Sequence, residues 1–184
     1  TGIASLLAAM TSGIASMSLR QQQYQSMGLN IVLRENWGAP ATSDWVPRFP
    51  ENVDTIVVHH TATPPNSNPS SEVLRIYNSH RMRCNDNDGS FNPNNPDCDE
   101  PHETWRDIGY NFIIDQNGTI YEGRAGGNMA VGAHSPGNTG TVGIAIIGNF
   151  QNTQPNQVSL NSLALLMGRV SKLHNMPLVR GITV

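Results

Sequence analysis

The sequence predicts an α/β domain with a mixed central β-sheet flanked by helices. Three observations carry that expectation. Two β-branched, apolar runs, Thr55-Ile56-Val57-Val58 and Val142-Gly143-Ile144-Ala145-Ile146-Ile147, are of strand length. Two further short apolar runs flank Asn117-Gly118, a strong hairpin signal. Residues 70–82 and 158–174 repeat apolar side chains at helical spacing, so strands and helices interleave along the chain.

Taken in order, residues 1–30 form an N-terminal extension. The apolar stretch 1–17 is broken by Gly2, Ser5, Thr11, Ser12 and Gly13, too short and too interrupted for a bilayer-spanning helix. Two readings stand equal: the remnant of a secretory leader, or a surface helix or disordered arm. Gln21, Gln22, Gln23 and Gln25 read as a polar linker.

The run 54–60 predicts a buried strand that delivers histidines at its C-terminal end, before Pro64 and Pro65 stop regular structure. Side chains alternate across a strand, so His59 and His60 face opposite ways. The first helix is expected over 70–82, with Val73, Ile76, Tyr77 and His80 on one side. Strands are expected over 108–115 and 119–123, followed by a glycine-rich turn over 123–127. The 141–147 run has no polar alternation, which predicts a central strand covered on both faces. Leu160, Leu163, Leu166, Met167, Val170 and Leu173 line a second helix that Pro177 ends, with His174 as a favourable charge at its C-terminus.

The bulk properties bound the function. A chain of 184 residues accommodates one domain with a sizeable core and the extension. With 14% charged residues and a formal charge of −3, it lacks the basic excess of nucleic-acid binders. Two cysteines, Cys84 and Cys98, flank an Asn/Asp/Pro/Gly-rich stretch. The preferred reading is a disulfide closing that loop in an oxidising compartment, worth about 3 kcal/mol in the chain-entropy model. His80, Cys84, Cys98 and His102 also form a mirrored pattern that admits a structural zinc site, although the spacing matches no common module. Asp86-Asn87-Asp88-Gly89 repeats part of a calcium loop but lacks its first ligand and closing glutamate.

Several motifs then occur in fixed order: Arg34-Glu35-Asn36-Trp37-Gly38-Ala39, Ile56 to Thr61, Asp107-Ile108-Gly109-Tyr110-Asn111-Phe112, Gly118 to Arg124, Gly132-Ala133-His134, and Val142 to Phe150. Together they resemble the peptidoglycan-recognition protein and type 2 N-acetylmuramoyl-L-alanine amidase family over roughly residues 31–181. The resemblance implies that family's fold for a domain at 31–184, bacterial peptidoglycan as partner and zinc as cofactor. It implies hydrolysis of the amide between the muramyl lactyl group and L-alanine. A secreted or periplasmic location and roles in cell-wall catabolism or innate immunity go with it.

Residue by residue, His59 resembles the first zinc ligand and Tyr110 a residue of the catalytic centre. Zinc takes neutral imidazole or thiolate and keeps one position for the water that attacks the amide, while a tyrosine hydroxyl stabilises developing charge. His134 resembles a position along the substrate groove. Arg124, Asn128 and Asn138 supply the donors and acceptors that a muropeptide groove needs. His60 reads first as structural and is carried as a substrate-binding candidate. The family continues past the last helix with Gly-His-Arg-Asp-like and Cys-Pro-Gly-like motifs that bring the second and third ligands. Here Ile182 stands where the second is expected, so the domain is expected to be incomplete at its C-terminus. The alternative to an amidase is a receptor that binds peptidoglycan without cutting it.

Overall fold

A computed structural model describes residues 18–43, 47–64, 68–81 and 105–177. Two compact units divide the chain, Thr1–Ile31 and Val32–Val184. In the first, helix α1 (Leu19–Ser26) begins at Ser18, whose hydroxyl accepts the Gln21 N–H at 3.2 Å. Gln21, Gln22, Gln23 and Gln25 therefore lie on a helix, which corrects the linker expectation. Glutamine is a good helix former and serine a strong N-cap, so polarity alone is the wrong signal here. The helix ends at Gly28 in a left-handed conformation (φ 69°), with the Leu29 N–H returning to the Tyr24 carbonyl.

The second unit holds the sheet. Its strands are β1 (Ile31–Val32, at the division), β2 (Thr55–His60), β3 (Phe112–Ile114), β4 (Ile120–Glu122) and β5 (Thr141–Ile146), in the order β1-β4-β3-β5-β2. β5 pairs in parallel with β2 and β3, whereas β3 and β4 form an antiparallel hairpin. The sheet is thus mixed, as expected. Val142, Ile144 and Ala145 of β5 and all three residues of β3 have no exposure, the burial on both faces that an unalternating apolar run predicts.

Helix α2 (Pro69–Arg81) lays Val73 and Ile76 into a core cluster with Trp37, Ile108, Ile113, Tyr121 and Ile147. Helix α3 (Gln157–Leu173) starts at Asn156, whose side chain accepts the Ser159 N–H at 2.9 Å, and buries Leu166 and Val170 completely. Two hydroxyls hold it to the hairpin: Ser159 donates to the Asp115 carbonyl and Ser162 to the Gly118 carbonyl. Gly118 turns that hairpin at φ 80°, and a Cβ there would stand 2.8 Å from Ser162 Oγ. No helix among the described residues is long and apolar enough to cross a membrane.

Two expectations change. The strand foreseen over 108–115 shortens to Phe112–Ile114. The Gly109 N–H goes to His80 Nδ1 and its carbonyl accepts the Ala133 N–H, so this backbone serves a loop contact instead of a ladder. His174 caps α3, but burial lowers its pKa below the usual 6.5, and its Nε2 lies 3.1 Å from Asn128 Nδ2. Burial thus disfavours the charged form expected on the helix dipole, and the ring serves as a hydrogen-bonding partner of Asn128.

Candidate functional site

His59 lies next to the end of β2, opposite Ala145 of β5. Its Nε2 is 3.0 Å from Nδ1 of His134, and the two rings meet edge-on at 5.0 Å. Tyr110 stands beside them, its ring centroid 5.5 Å from that of His59. Residues about 75 positions apart in sequence are joined because parallel pairing sets β2 against β5 and the 132–140 loop folds back before β5 begins.

That loop is built around its histidine. Asn138 Oδ1 accepts the backbone N–H groups of His134 (2.8 Å) and Ser135 (3.0 Å), four and three residues before it, and so closes the loop on itself. Gly132 and Gly143 leave the space that the ring fills: a Cβ would come within 2.4 Å and 2.3 Å of His134 Cδ2. Asn111 holds Gly143 in place by accepting its N–H at 2.8 Å, while its amide donates to the carbonyls of Gly127 and Ala130.

The other side of Tyr110 packs on His80, at 5.4 Å between ring centroids, and His80 packs on Trp105 at 5.0 Å. His80 is buried on α2 and accepts the Gly109 N–H at 3.1 Å, which fixes the backbone next to Tyr110. Reading His80 with the cysteine-flanked stretch misses this role. A helix-face histidine gives no signal of its partner until the sheet brings the Gly109 segment under it. A small cavity of about 70 Å³ opens here, lined by Thr61, Thr63, Ser79, His80 and Tyr110 among others.

The remaining candidates separate from this cluster. His60 points to the other face of β2, where its Nδ1 accepts the Phe150 N–H at 2.8 Å, so the expected alternation holds. Arg124 is only 7% exposed and donates to the Ile108 carbonyl at 3.2 Å. Cys84, Cys98, His102 and Ile182 fall outside the described residues.

Electrostatically the cluster favours neutral rings. Burial pushes the His134 pKa down to about 4, with the neighbouring His59 and Arg124 charges adding to it. Burial also lowers His59, with His60 adding to it. Arg124 is lowered to about 10 by burial, against the pull of Asp107, and stays cationic at neutral pH. Two neutral imidazoles and a phenol accept and donate hydrogen bonds to amides and hydroxyls without a charge to desolvate.

A zinc centre requires three protein ligands and one open position. Among the described residues no group of three His, Cys, Asp or Glu side chains converges. His59 presents an imidazole, but among the described residues only His134 stands next to it as a further possible ligand. These residues do not by themselves fit the metal.

Comparison with known proteins gives the class. The family model described as N-acetylmuramoyl-L-alanine amidase matches residues 49–183, and the chain belongs to this family. A peptidoglycan-recognition protein of Drosophila simulans is 36% identical over 140 residues, covering 74% of this chain. The chain spans 65% of that relative's length. Peptidoglycan-recognition protein 2 of Holotrichia diomphalia is 32% identical over 133 residues, 72% of this chain and 61% of its own. Among solved structures, Apis mellifera PGRP-SA superposes with a TM-score of 0.62 at 27% identity, covering 84% of this chain and 83% of that one. The ectodomain complex of recognition proteins LCa and LCx bound to tracheal cytotoxin gives 0.62 at 27% identity, over 82% and 80%.

Proposed function

We propose that this domain binds peptidoglycan fragments, holding a muropeptide against the cluster of His59, His134 and Tyr110. The observation that carries the reading is the 3.0 Å contact of His59 with His134 beside Tyr110, in a chain of the amidase family. Its relatives are peptidoglycan-recognition proteins, and one neighbouring structure holds tracheal cytotoxin. Amide and hydroxyl groups of a glycopeptide match neutral rings that both donate and accept. Asn138 acts in this reading by ordering the His134 loop, and Arg124 as a cation whose charge reaches it. His60 lies on the other face and supports β2.

Co-sedimentation with insoluble peptidoglycan, and titration with a purified muropeptide, test the proposal. His134→Ala is expected to weaken binding at least tenfold. Equal retention of wild type and variant would sink it.

A second reading adds hydrolysis of the lactyl-L-alanine amide, with His59 as a zinc ligand and Tyr110 at the catalytic centre. The description of the matched family favours it, as does the burial that disfavours a charged His59. Release of stem peptide that a chelator abolishes and that His59→Ala lacks supports hydrolysis; binding without release supports a receptor. We further propose secretion, with Cys84 and Cys98 paired; thiol titration of the denatured chain without reductant then finds no free thiol.

A further inference from the structure

We infer that Thr141 is a positioning residue: it fixes which nitrogen of His134, and through it of His59, carries the ring proton, and so leaves His59 Nδ1 as a lone-pair acceptor for ligand. Thr141 has one hydroxyl proton, and Oγ1 lies 2.8 Å from the Asn138 carbonyl, which can only accept. That proton is therefore committed. Oγ1 also lies 3.2 Å from His134 Nε2, and having no second proton it accepts there. His134 Nε2 then carries the hydrogen, and in a neutral imidazole Nδ1 is left as the lone pair. Facing it at 3.0 Å, His59 Nε2 has to donate. The His59 lone pair is then at Nδ1, which makes no hydrogen bond among the described residues.

The frame that holds this order is rigid. Thr141 is the first residue of β5, paired with Thr55, and follows Gly140 in a left-handed turn at φ 80°. Its backbone N–H meets the same Asn138 carbonyl at 3.2 Å, so the hydroxyl and the carbonyl belong to one tight turn. The His134 ring lies close against Gly132 and Gly143, where a Cβ on either would come within 2.4 Å of it. Reversing the proton order would require the hydroxyl to leave the carbonyl.

The consequence concerns selectivity. An acceptor at His59 takes a hydrogen-bond donor, an amide N–H or a hydroxyl, and disfavours a carboxylate. This last step rests on the muropeptide reading of the cluster; the assignment of the ring protons does not.

The test uses the full chain with ¹⁵N-labelled histidine at pH 7.5. Two-bond ¹H–¹⁵N correlation distinguishes protonated from bare ring nitrogens, and His59→Gln and His134→Gln assign the signals. Both rings are expected in the Nε2–H form. Thr141→Val is expected to move His134 toward averaged tautomers, with His59 following, and Thr141→Ser to restore the wild-type pattern. A His134 protonated at Nδ1 in the wild type overturns the inference, and that result needs no variant to fold. An unchanged ring spectrum in a folded Thr141→Val chain overturns it as well. Adding the muropeptide is expected to shift His59 Nδ1. Binding detected by co-sedimentation without that shift overturns the acceptor role; absence of any binding instead overturns the muropeptide reading and leaves the proton order to the tautomer result.

Discussion

Arg34 and Asp107 meet at 3.0 Å with both side chains 1% exposed, an ion pair between residues 73 positions apart. Each also holds backbone. Arg34 donates to the carbonyls of Pro40 and Gly123, while Asp107 accepts the N–H groups of Ile108 and Ala125. The pair therefore fixes both the segment leading to Tyr110 and the turn after β4.

Removing one partner leaves a buried charge uncompensated. Asp107→Ala is expected to cost about 3–5 kcal/mol, read as a lower urea midpoint. A loss below about 1 kcal/mol would mean that water reaches the Arg34 guanidinium.

Asn111 is a second test of the frame. It is fully buried and satisfies three backbone groups, those of Gly127, Ala130 and Gly143. Asn111→Ala strands all three, and about 3 kcal/mol of stability is expected to go. Asn111→Asp keeps the bond to Gly143 but brings a buried charge, so it is expected to be no better.

Gly143→Ala probes the seat of His134, because its methyl would stand 2.3 Å from the ring. The ring has to move, at a cost of roughly 1–3 kcal/mol. Peptidoglycan binding is expected to fall with it, and a variant that binds as well as wild type would show that the ring's seat is not needed.

The pH dependence has a definite sign. His134 titrates near 4 when folded against an ordinary value of 6.5, so between these values the unfolded chain binds more protons. This contribution is complete above pH 6.5, declines as pH falls, and levels off below about 4. At 1.36 kcal/mol per unit it amounts to roughly 3–3.5 kcal/mol at the upper limit, with His59 acting in the same direction. Urea melts at pH 7.5 and 4.5 are expected to differ by less in His134→Gln than in wild type. An equal difference would assign the effect to other groups.

Much of the frame is legible in the chain. β2, β5, the Asn117-Gly118 hairpin and both long helices fall within a residue or two of their periodic signals. Burial works directly on such patterns, since a strand covered on both faces has to be apolar at every position. The departures have local causes. The glutamines of α1 are polar enough to suggest a linker, yet their helix propensity prevails once Ser18 caps them. The strand expected from Ile108 starts only at Phe112, because Gly109 gives its hydrogen bonds to His80 and Ala133.

By itself the sequence determined the elements, the opposed faces of His59 and His60, and the motifs that mark the family, because these depend on periodicity and on neighbours in the chain. Only the tertiary structure decided which of its histidines meet. His134 reaches His59 through a parallel strand pairing and a loop turned by Asn138, and His80 reaches Tyr110 through the packing of α2 over the core. Such contacts join residues tens of positions apart, and the sheet register that brings them together is a property of the whole packed domain, not of any one segment.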